Sequence, residues 1–388
     1  MRVAVVVPRY GLDVVGGAES QARGFAEEAV RRGWEIEVWT TCAHSHYTWE
    51  NAYPAGYERV REILVRRFPV SLRRLAQQSE IEQALAGGAR LSSAEQYAWL
   101  EGGAQSPPLY QHIAQHAHEW DALVVLPYAM PMMNLAAWAA PKRTIMWPCL
   151  HDEPYAYLEP VRLLLESVWG VMFNSPEERD LALQRVKISP RRQAVLGEGV
   201  TLTTPLPATV EGEPRDLLYV GRLEGGKNLM LLYDFMLRYH SEGGESRLLV
   251  VGKGPVEPPA HPAFDYRGFV SEREKASAYA TALALCQPSL NESFSLTTME
   301  SWLSGRPALV HGACEVTRGH VERSKGGLWF HSYREWVGAV EWMREHPDLA
   351  RQMGRNGKRY VQRNYTWHAV VDRFEGLVKR WQREEVAA

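Results

Sequence analysis

The chain has 388 residues, of which 45% are hydrophobic and 23% charged, and its formal net charge is −2. This composition is ordinary for a folded globular protein, and the near-neutral charge argues against a nucleic-acid binder, which needs a basic excess. The length exceeds one ordinary core, so two domains are expected. The four cysteines are far apart and form no Cys-x-x-Cys pair, which argues against a disulfide framework or zinc knuckle and fits a reducing compartment.

The first residues predict a buried strand rather than a targeting segment. Residues 3–7 form an apolar run that is too short for the core of a signal peptide. No run of 18 apolar residues occurs anywhere, so no transmembrane helix is predicted. We therefore expect the protein to act in the cytoplasm.

In the first half of the chain, short apolar runs alternate with longer amphipathic stretches, which favours parallel strands joined by right-handed crossovers. Strands are predicted at residues 3–7, 36–39, 60–68, 123–126, 144–147 and 168–173. Helices are predicted at residues 17–32 and over a long helical region, 75–118.

The alternation of apolar runs and amphipathic stretches is interrupted at residues 201–214, which contain three prolines and no helical period. It resumes after this segment. Strands are predicted at residues 217–220, 248–251, 283–286, 308–310 and 328–330, and helices at 228–239, 272–281, 296–303 and 366–385. We predict an α/β protein with a first doubly wound domain (1–200), a linker (201–214), a second doubly wound domain (215–365) and a C-terminal helix (366–388). Ligands of such sheets bind beyond the carboxyl ends of the strands, so the site is expected in a cleft where the two domains face each other.

The strongest motif follows the predicted strand 283–286 and opens a helix. Its first turn is rich in hydroxyl groups, and a helix N-terminus offers unpaired N–H groups and a positive dipole end, which suit a pyrophosphate. Glu292 precedes this helix and Glu300 lies inside it. A carboxylate accepts hydrogen bonds from two hydroxyls at once, so the pair suits a sugar and a ribose. The spacing alone is weak, since two glutamates eight positions apart also occur by chance.

A second motif leaves the predicted strand 217–220. Gly221 lets the backbone approach a ligand, and Arg222 and Lys227 supply two cations for a diphosphate leaving group. The spacing from Gly221 to Lys227 also matches a P-loop, but Asn228 stands where that motif needs Ser or Thr for Mg²⁺. An NTPase therefore stays as an alternative that would require Mg²⁺.

Two weaker features lie in the first domain. Gly16 and Gly17 form a glycine-rich turn between the first strand and the first helix. His151 follows the strand 144–147, where it either points into the cleft or caps local structure. The chain lacks an Asp-x-Asp metal clamp, so no metal is expected, and cations and helix dipoles would have to replace it. No Gly-x-Gly-x-x-Gly fingerprint of a dehydrogenase is present either.

Together these motifs resemble the retaining glycosyltransferases of family four (glycosyl transferases group 1), which have the GT-B architecture of two Rossmann-like domains. The resemblance covers essentially the whole chain. It rests, in order, on Gly16-Gly17-Ala18-Glu19, His151, Gly197-Glu198-Gly199-Val200, Gly221-Arg222 with Lys227-Asn228, Gly252-Lys253-Gly254-Pro255, Gly268-Phe269-Val270-Ser271, and Glu292 with Glu300.

The resemblance implies a role for each candidate site residue of the second domain. Arg222 and Lys227 would bind the donor diphosphate, and Glu300 its ribose. Glu292 and neighbouring backbone amides would hold the transferred sugar and phosphate. Those amides belong to Ser293, Phe294 and Ser295.

It also implies contacts around the rest of the donor. Gly16 and Gly17 would approach the phosphate, and His151 would contact the sugar near its anomeric carbon. The base would lie near Arg267 and the turn that follows it, and the final helix would cross back onto the first domain. The residues of that turn are Gly268, Phe269 and Val270.

One departure concerns Ser295, which stands where the family usually has glycine. The serine reduces close approach and adds a hydroxyl donor, which changes the contacts expected with the sugar. The candidate catalytic residues remain His151, Arg222, Lys227 and Glu292.

The resulting hypothesis is metal-independent transfer, with retention, of a hexose-type sugar from a nucleotide-diphosphate donor. UDP-sugars are favoured by frequency in the family, and GDP-mannose is the other candidate. The acceptor would be a hydroxyl of a saccharide or a lipid-linked molecule. A sugar-nucleotide epimerase and a non-catalytic nucleotide-sugar-binding protein stay as alternatives.

A basic stretch between Arg59 and Arg74 has two interpretations. It offers a peripheral contact with the anionic inner face of a membrane, or it is the solvated edge of a strand followed by a helix start.

Overall fold

The computed structural model describes residues 1–14, 16–202, 204–206 and 214–387. They divide into two compact units. The first combines Met1–Gly199 with Trp367–Ala388, and the second is Val200–Thr366. Of the predicted linker, residues 203 and 207–213 lie outside the described part of the chain.

The first unit is built on an eight-stranded sheet and a small two-stranded ribbon. In chain order its strands are β1 (Arg2–Val6), β2 (Glu35–Thr41), β3 (Gly56–Val60), β4 (Ile63–Phe68), β5 (Ser71–Arg73), β6 (Gly103–Gln105), β7 (Ala122–Val125), β8 (Thr144–Met146), β9 (Gly170–Phe173) and β10 (Gln193–Val195). The sheet order is β10-β9-β8-β7-β1-β2-β4-β3, and β5 pairs with β6. Every neighbour in the large sheet is parallel except β3, which is antiparallel to β4.

The second unit is built on a six-stranded sheet in which all neighbours are parallel. Its strands are β11 (Leu217–Val220), β12 (Leu248–Val251), β13 (Phe264–Gly268), β14 (Ala284–Gln287), β15 (Ala308–His311) and β16 (Gly327–Phe330). Their order is β13-β12-β11-β14-β15-β16. The predicted α/β class with parallel sheets is confirmed in both units.

Helices connect and cover these strands. In chain order they are α1 (Gly17–Arg31), α2 (Leu75–Ala86), α3 (Ser93–Glu101), α4 (Pro107–His116), α5 (Pro131–Trp138), α6 (Glu159–Ser167), α7 (Pro176–Asp180), α8 (Leu229–Ser241), α9 (Glu272–Thr281), α10 (Leu296–Leu303), α11 (Glu315–Ser324), α12 (Tyr333–Glu345), α13 (Pro347–Asn364) and α14 (Trp367–Val386).

Both faces of each sheet are buried, which explains why the central strands are continuous apolar runs. Along β1, Val3 and Val5 pack into one core cluster while Ala4 and Val6 pack into another. The strand β11 behaves in the same way, since alternate residues enter the two clusters on either face of the second sheet. Side chains in a strand alternate between faces, so a two-sided core needs apolar residues at every position.

Two predictions for the first unit are wrong. The predicted single strand 60–68 is a hairpin, because Arg61 adopts a left-handed conformation with φ of 55° and the chain reverses between β3 and β4. The predicted helical region 75–118 is three helices and the short strand β6. Gly88 and Gly103, both with positive φ, and Pro107 at the start of α4 interrupt it.

The C-terminal helix α14 belongs to the first unit and packs against α1. Phe374 of α14 lies edge-on to Phe25 of α1, with ring centroids 4.9 Å apart. Gly24 makes this approach possible, since a Cβ atom there would lie 2.2 Å from Cε2 of Trp367. A bulkier residue at position 24 would therefore force the two helices apart.

We expect Gly24→Ala to destabilise the protein by about 1–3 kcal/mol, because the added methyl group overpacks the contact with Trp367. Gly376→Ala is the matched control. It also lies in a helix, and its added Cβ meets nothing within 4 Å, so it should stabilise by about 0.5–1 kcal/mol. Urea denaturation of both variants measures the difference, and equal midpoints would contradict the packing of α14 on α1.

Candidate functional site

In each sheet, the order of the strands reverses at one position. In the second sheet the chain runs outward from β11 to β13 and then continues on the other side of β11 with β14. In the first sheet the same reversal occurs between β1 and β7. Ligands of open α/β sheets bind beyond the carboxyl ends of the strands at such a reversal. The motifs at Gly16, Gly221 and Glu292 follow strands β1, β11 and β14, whereas His151 follows the neighbouring strand β8.

The loops after β11, β12 and β13 lie against one another, backbone to backbone. Gly252 has φ of 142°, and a Cβ atom there would lie 1.8 Å from the carbonyl oxygen of Gly221. The N–H of Gly252 donates to the carbonyl of Gly268 at 2.8 Å. Only glycine permits so close a contact at position 252. The contact holds the loop after β12 against the backbone of the loop that carries Arg222.

The structure brings Lys227 and Glu292 together. The Lys227 ammonium lies 2.7 Å from Oε1 of Glu292, and both side chains are largely buried, at 23% and 11% exposed. Asn228, which has left-handed φ and ψ, donates from Nδ2 to the Pro288 carbonyl at 3.1 Å. The loop after β11 and the loop after β14 are therefore joined by an ion pair and a hydrogen bond.

Arg222 is the more accessible cation of the loop after β11. Its side chain is 58% exposed and lies 3.1 Å from the Glu224 carboxylate. Tyr219 holds the loop from below, since its hydroxyl donates to the Arg222 carbonyl at 2.9 Å. Burial, followed by the charge of Glu292, raises the pKa of this phenol, so Tyr219 stays protonated and remains a donor. Arg222 can thus reach a ligand from a fixed backbone.

The hydroxyl groups of Ser295, Thr297 and Thr298, around the start of α10, contact other groups of the protein. The Ser295 hydroxyl lies 3.0 Å from that of Thr298 and accepts from Nε2 of Gln287 at 3.3 Å. Ser295 is only 6% exposed and has φ of 74°. The expectation that Ser295 offers an additional hydroxyl to a ligand is therefore wrong, because the left-handed backbone turns its side chain inward. Ser293 and Phe294 complete this turn, and Phe294 is buried.

Glu300 is held from α9. Its Oε2 accepts from the Tyr279 hydroxyl at 2.8 Å, and its Oε1 lies 3.4 Å from the Lys275 ammonium. The glutamate side chain is 18% exposed. Glu292 and Glu300 therefore have separate sets of partners, one from the loop after β11 and the other from α9.

The turn after β13 presents an apolar ring to solvent. Gly268 has φ of 63°, and the chain then passes through Phe269, which is 68% exposed, and Val270. Arg267 is paired with Asp265 at 2.6 Å. The exposed aromatic ring of Phe269 provides a surface on which a flat ring can stack.

In the first unit, Gly16 and Gly17 begin α1 as predicted. A Cβ atom on Gly16 would lie 1.9 Å from the Glu19 carboxylate, whereas one on Gly17 would meet nothing within 4 Å. The Glu19 side chain forms a buried ion pair with Arg9, whose Nη1 also donates to the His44 carbonyl at 2.9 Å. Gly16 is therefore required by packing, while Gly17 leaves open space at the helix start.

His151 is one-third exposed after β8. Its Nδ1 lies 3.8 Å from Oε1 of Glu153, and that oxygen accepts from the Tyr128 hydroxyl at 2.6 Å. The adjacent Leu150 donates its backbone N–H to the fully buried Glu178. Burial raises the pKa of Glu178 to about 8, although hydrogen bonds with the backbone of Leu150, Asn174 and Ser175 act to lower it.

Within the described residues, no group of three or more His, Cys, Asp or Glu side chains is arranged to hold a metal ion. The histidines and carboxylates of the candidate site are instead paired with one another or with cations. Metal independence stays a prediction.

Residues 214–345 match the family model described as glycosyl transferases group 1. The matched segment lies within the second unit. The D-inositol 3-phosphate glycosyltransferase of Corynebacterium diphtheriae is 24% identical over 242 residues, which cover 55% of this chain and 56% of that protein. The chain spans about half the length of the curated relatives it matches.

Solved structures extend the likeness to both units. Sucrose-phosphate synthase from Thermosynechococcus elongatus superposes with a TM-score of 0.70, 16% identity and full coverage of both chains. HepE of Anabaena, solved in complex with UDP and glucose, gives a TM-score of 0.69 and 14% identity over 98% of this chain and 99% of that one. At such low identity the likeness concerns the fold alone, and that fold is GT-B with two Rossmann-like domains.

Several partners of the predicted residues in the second unit were not identified from the sequence. Tyr279 and Lys275 on α9 and Gln287 at the end of β14 hold predicted residues but carry no motif of their own. In the first unit, Glu178 follows Ser175 by three positions, and the Ser175 hydroxyl accepts from the Glu178 N–H at 3.0 Å. That spacing is a recognisable pattern for the start of a helix, so it could have identified Glu178 as a residue that is held in place.

At position 295 we expect glycine to give a more stable second unit than alanine, by about 1 kcal/mol. Both variants lose the hydroxyl contacts with Gln287 and Thr298, but alanine keeps the cost of a left-handed backbone, roughly 1 kcal/mol. Urea denaturation of Ser295→Gly and Ser295→Ala measures the order.

The exposed Ser277, in the middle of α9, is the control. There the order should reverse, because glycine is less favourable than alanine in a helix by about 1 kcal/mol. If alanine is the better residue at both positions, the backbone at Ser295 does not constrain the loop.

Proposed function

We propose that this protein is a retaining glycosyltransferase that moves a hexose-type sugar from a nucleotide-diphosphate donor to a hydroxyl of a saccharide or lipid-linked acceptor. The observation that carries the proposal is the Lys227–Glu292 ion pair at the start of α10. It places a cation and a hydroxyl-binding carboxylate beside a helix N-terminus, within the segment that matches the group 1 family. These are the groups that a sugar diphosphate requires.

The leaving group is a nucleoside diphosphate whose charge grows as the bond to the sugar breaks. Lys227, Arg222 and the N–H groups that open α10 would stabilise this charge. Lys227 is held by Glu292, and the Tyr219 contact holds the backbone that carries Arg222, whose exposed side chain would turn toward a donor. Little reorganisation is then needed at the moment of transfer. On this basis we propose that the reaction proceeds without a metal.

Retention follows if the acceptor attacks from the face that the diphosphate leaves. The bond between the anomeric carbon and the diphosphate oxygen breaks, and the acceptor oxygen bonds to the same face. The acceptor proton passes to an oxygen of the departing phosphate, so the protein needs no essential base. Glu292 would hold a sugar hydroxyl, and His151 would contact the sugar near its anomeric carbon.

For the donor we propose a UDP-sugar, with GDP-mannose as the other candidate. The crystal structures of HepE, which contain UDP, UDP with glucose, or UDP-glucose, support uridine through their similar fold. The exposed Phe269 ring supports base stacking near Arg267. Gly16 and Gly17 would face the phosphates, and Glu300 the ribose.

A membrane contact by the basic stretch has less support than its charge suggested. Arg67 is buried and paired with Glu58, while Arg61 pairs with Glu27 and Arg74 with Glu101. Among the described helices, none is both long and apolar enough to span a bilayer. We propose that the protein acts in the cytoplasm, with any contact at the inner face of the membrane being peripheral.

We expect one nucleoside diphosphate to raise the melting temperature in the presence of EDTA. A ligand at 100 times its Kd adds about 2.7 kcal/mol to the free energy of unfolding, which corresponds to a rise of roughly 5 °C or more for a domain of this size. The panel is UDP, GDP, ADP, dTDP and NAD. Lys227→Ala should abolish the shift, while Lys358→Ala on α13 should preserve it.

The same panel identifies the competing functions. A shift with NAD alone, or with ATP only when Mg²⁺ is added, would reject the transferase and favour a dehydrogenase or an NTPase. Consumption of a UDP-sugar without an acceptor, giving an epimeric UDP-sugar, would indicate an epimerase. Binding without any turnover over a range of acceptors would indicate a non-catalytic binding protein.

We expect His151→Ala to lower kcat by about 100-fold while changing the affinity for the nucleotide less than threefold, because the lost contact would be made mainly as charge develops on the sugar. The assay measures UDP released from the donor identified by the panel. His118→Ala, which removes an exposed histidine elsewhere in the first unit, is the control. An equal effect of both substitutions, or none of either, would remove His151 from the reaction.

A further inference from the structure

The Glu300 carboxylate is held at both of its oxygen atoms by one face of α9. The Tyr279 hydroxyl donates to Oε2 at 2.8 Å, and the Lys275 ammonium lies 3.4 Å from Oε1. Tyr279 follows Lys275 by four positions, which places the two side chains on the same side of the helix. A carboxylate contacted at both oxygens by donors from one helix has a defined plane.

Tyr279 supplies the rigid part of this contact. It is completely buried and belongs to the core cluster on one face of the second sheet, together with Leu218, Val251 and Leu285. Burial, followed by the charge of Glu300, raises the pKa of the phenol well above its usual value. The hydroxyl is therefore a donor at every pH at which the protein would be studied, and the core fixes its position.

Lys275 supplies the charged part. Its ammonium lies between two carboxylates, 3.0 Å from Glu272 and 3.4 Å from Glu300, and its side chain is 23% exposed. Burial acts to lower the pKa of Lys275, but the two glutamates outweigh it and the pKa is raised. Lys275 therefore remains an ammonium and offsets the cost of a mostly buried Glu300 charge.

These two donors leave a specific capacity for hydrogen bonds. An ionised carboxylate has about four acceptor positions, two on each oxygen. Tyr279 occupies one position on Oε2, and Lys275 faces one on Oε1, so one position remains on each oxygen. Two acceptors at the spacing of a carboxylate suit two neighbouring hydroxyl groups, such as the 2′ and 3′ hydroxyls of a ribose.

We propose that Tyr279 and Lys275 are positioning residues that orient Glu300 toward the ribose diol of the donor, so that the site selects ribonucleoside diphosphates over 2′-deoxy analogues. This inference rests on the proposed function, because it assigns the ribose to Glu300. It adds that the selection depends on α9, whose two side chains do not touch the nucleotide themselves.

The test compares dissociation constants for UDP and 2′-deoxy-UDP, and for GDP and 2′-deoxy-GDP, by calorimetry on the full chain. The wild type should prefer one ribonucleotide over its deoxy analogue by at least about tenfold, as expected for a hydrogen bond to a charged group. Tyr279→Phe should reduce this ratio at least threefold, because the carboxylate loses its fixed plane. A purely structural role for Tyr279 would weaken both nucleotides equally and leave the ratio unchanged, which would overturn the proposal.

Tyr239→Phe is the matched control. Tyr239 is also buried in the second unit, and its hydroxyl donates to a different carboxylate, that of Glu341. This variant should keep the wild-type ratio. A reduced ratio in Tyr239→Phe as well would attribute the effect to general loss of packing, and would also overturn the proposal.

Lys275→Gln provides a second route if Tyr279→Phe fails to fold. It should also reduce the ratio, whereas Lys379→Gln, which breaks a comparable Lys–Glu pair with Glu375 on α14, should not. An unchanged ratio in a folded Lys275→Gln would reject the role of Lys275.

The proposed function fails separately, and this inference with it, if the wild type binds none of the four nucleotides. If the wild type binds both forms of a nucleotide equally, a nucleotide site remains but the ribose assignment of Glu300 is wrong.

Discussion

Parallel pairing of β11 with both β12 and β14 is the constraint on which the candidate site depends. Parallel strands place their carboxyl ends at one edge of the sheet, so the loops that follow β11 and β14 must emerge side by side. The Lys227–Glu292 ion pair and the Asn228–Pro288 hydrogen bond then join these loops. The absence of a side chain at Gly252 allows the neighbouring loop after β12 to close against them.

The two predicted glutamates are held before any ligand is present. Glu292 is fixed by a cation that would also face the diphosphate, and Glu300 by two donors from α9. Each carboxylate is mostly buried, and a buried charge requires such partners. Each glutamate is therefore held by side chains from a neighbouring element of the second unit.

The sequence predicted part of each unit. In the second unit, β11, β12, α9 and α10 lie where the pattern placed them, because their apolar runs and periods are strong local signals, whereas β13, α11, α12 and α13 were not predicted. Residues 75–118 misled the prediction, since their composition favours helix while glycines and Pro107 divide them. The helices α5 and α6 were missed, because α5 has too few polar residues to show an amphipathic period and α6 is only nine residues long.

The sequence by itself determined the α/β class, the order of the motifs and the position of each motif after a strand, because all of these depend on residues near one another in the chain. Only the tertiary structure decided which side chains are partners. Tyr279 contacts Glu300 across 21 positions, and Lys227 contacts Glu292 across 65. It also turned the Ser295 hydroxyl inward, toward Gln287. Such contacts depend on the pairing of strands and the packing of helices, and no local spacing encodes them.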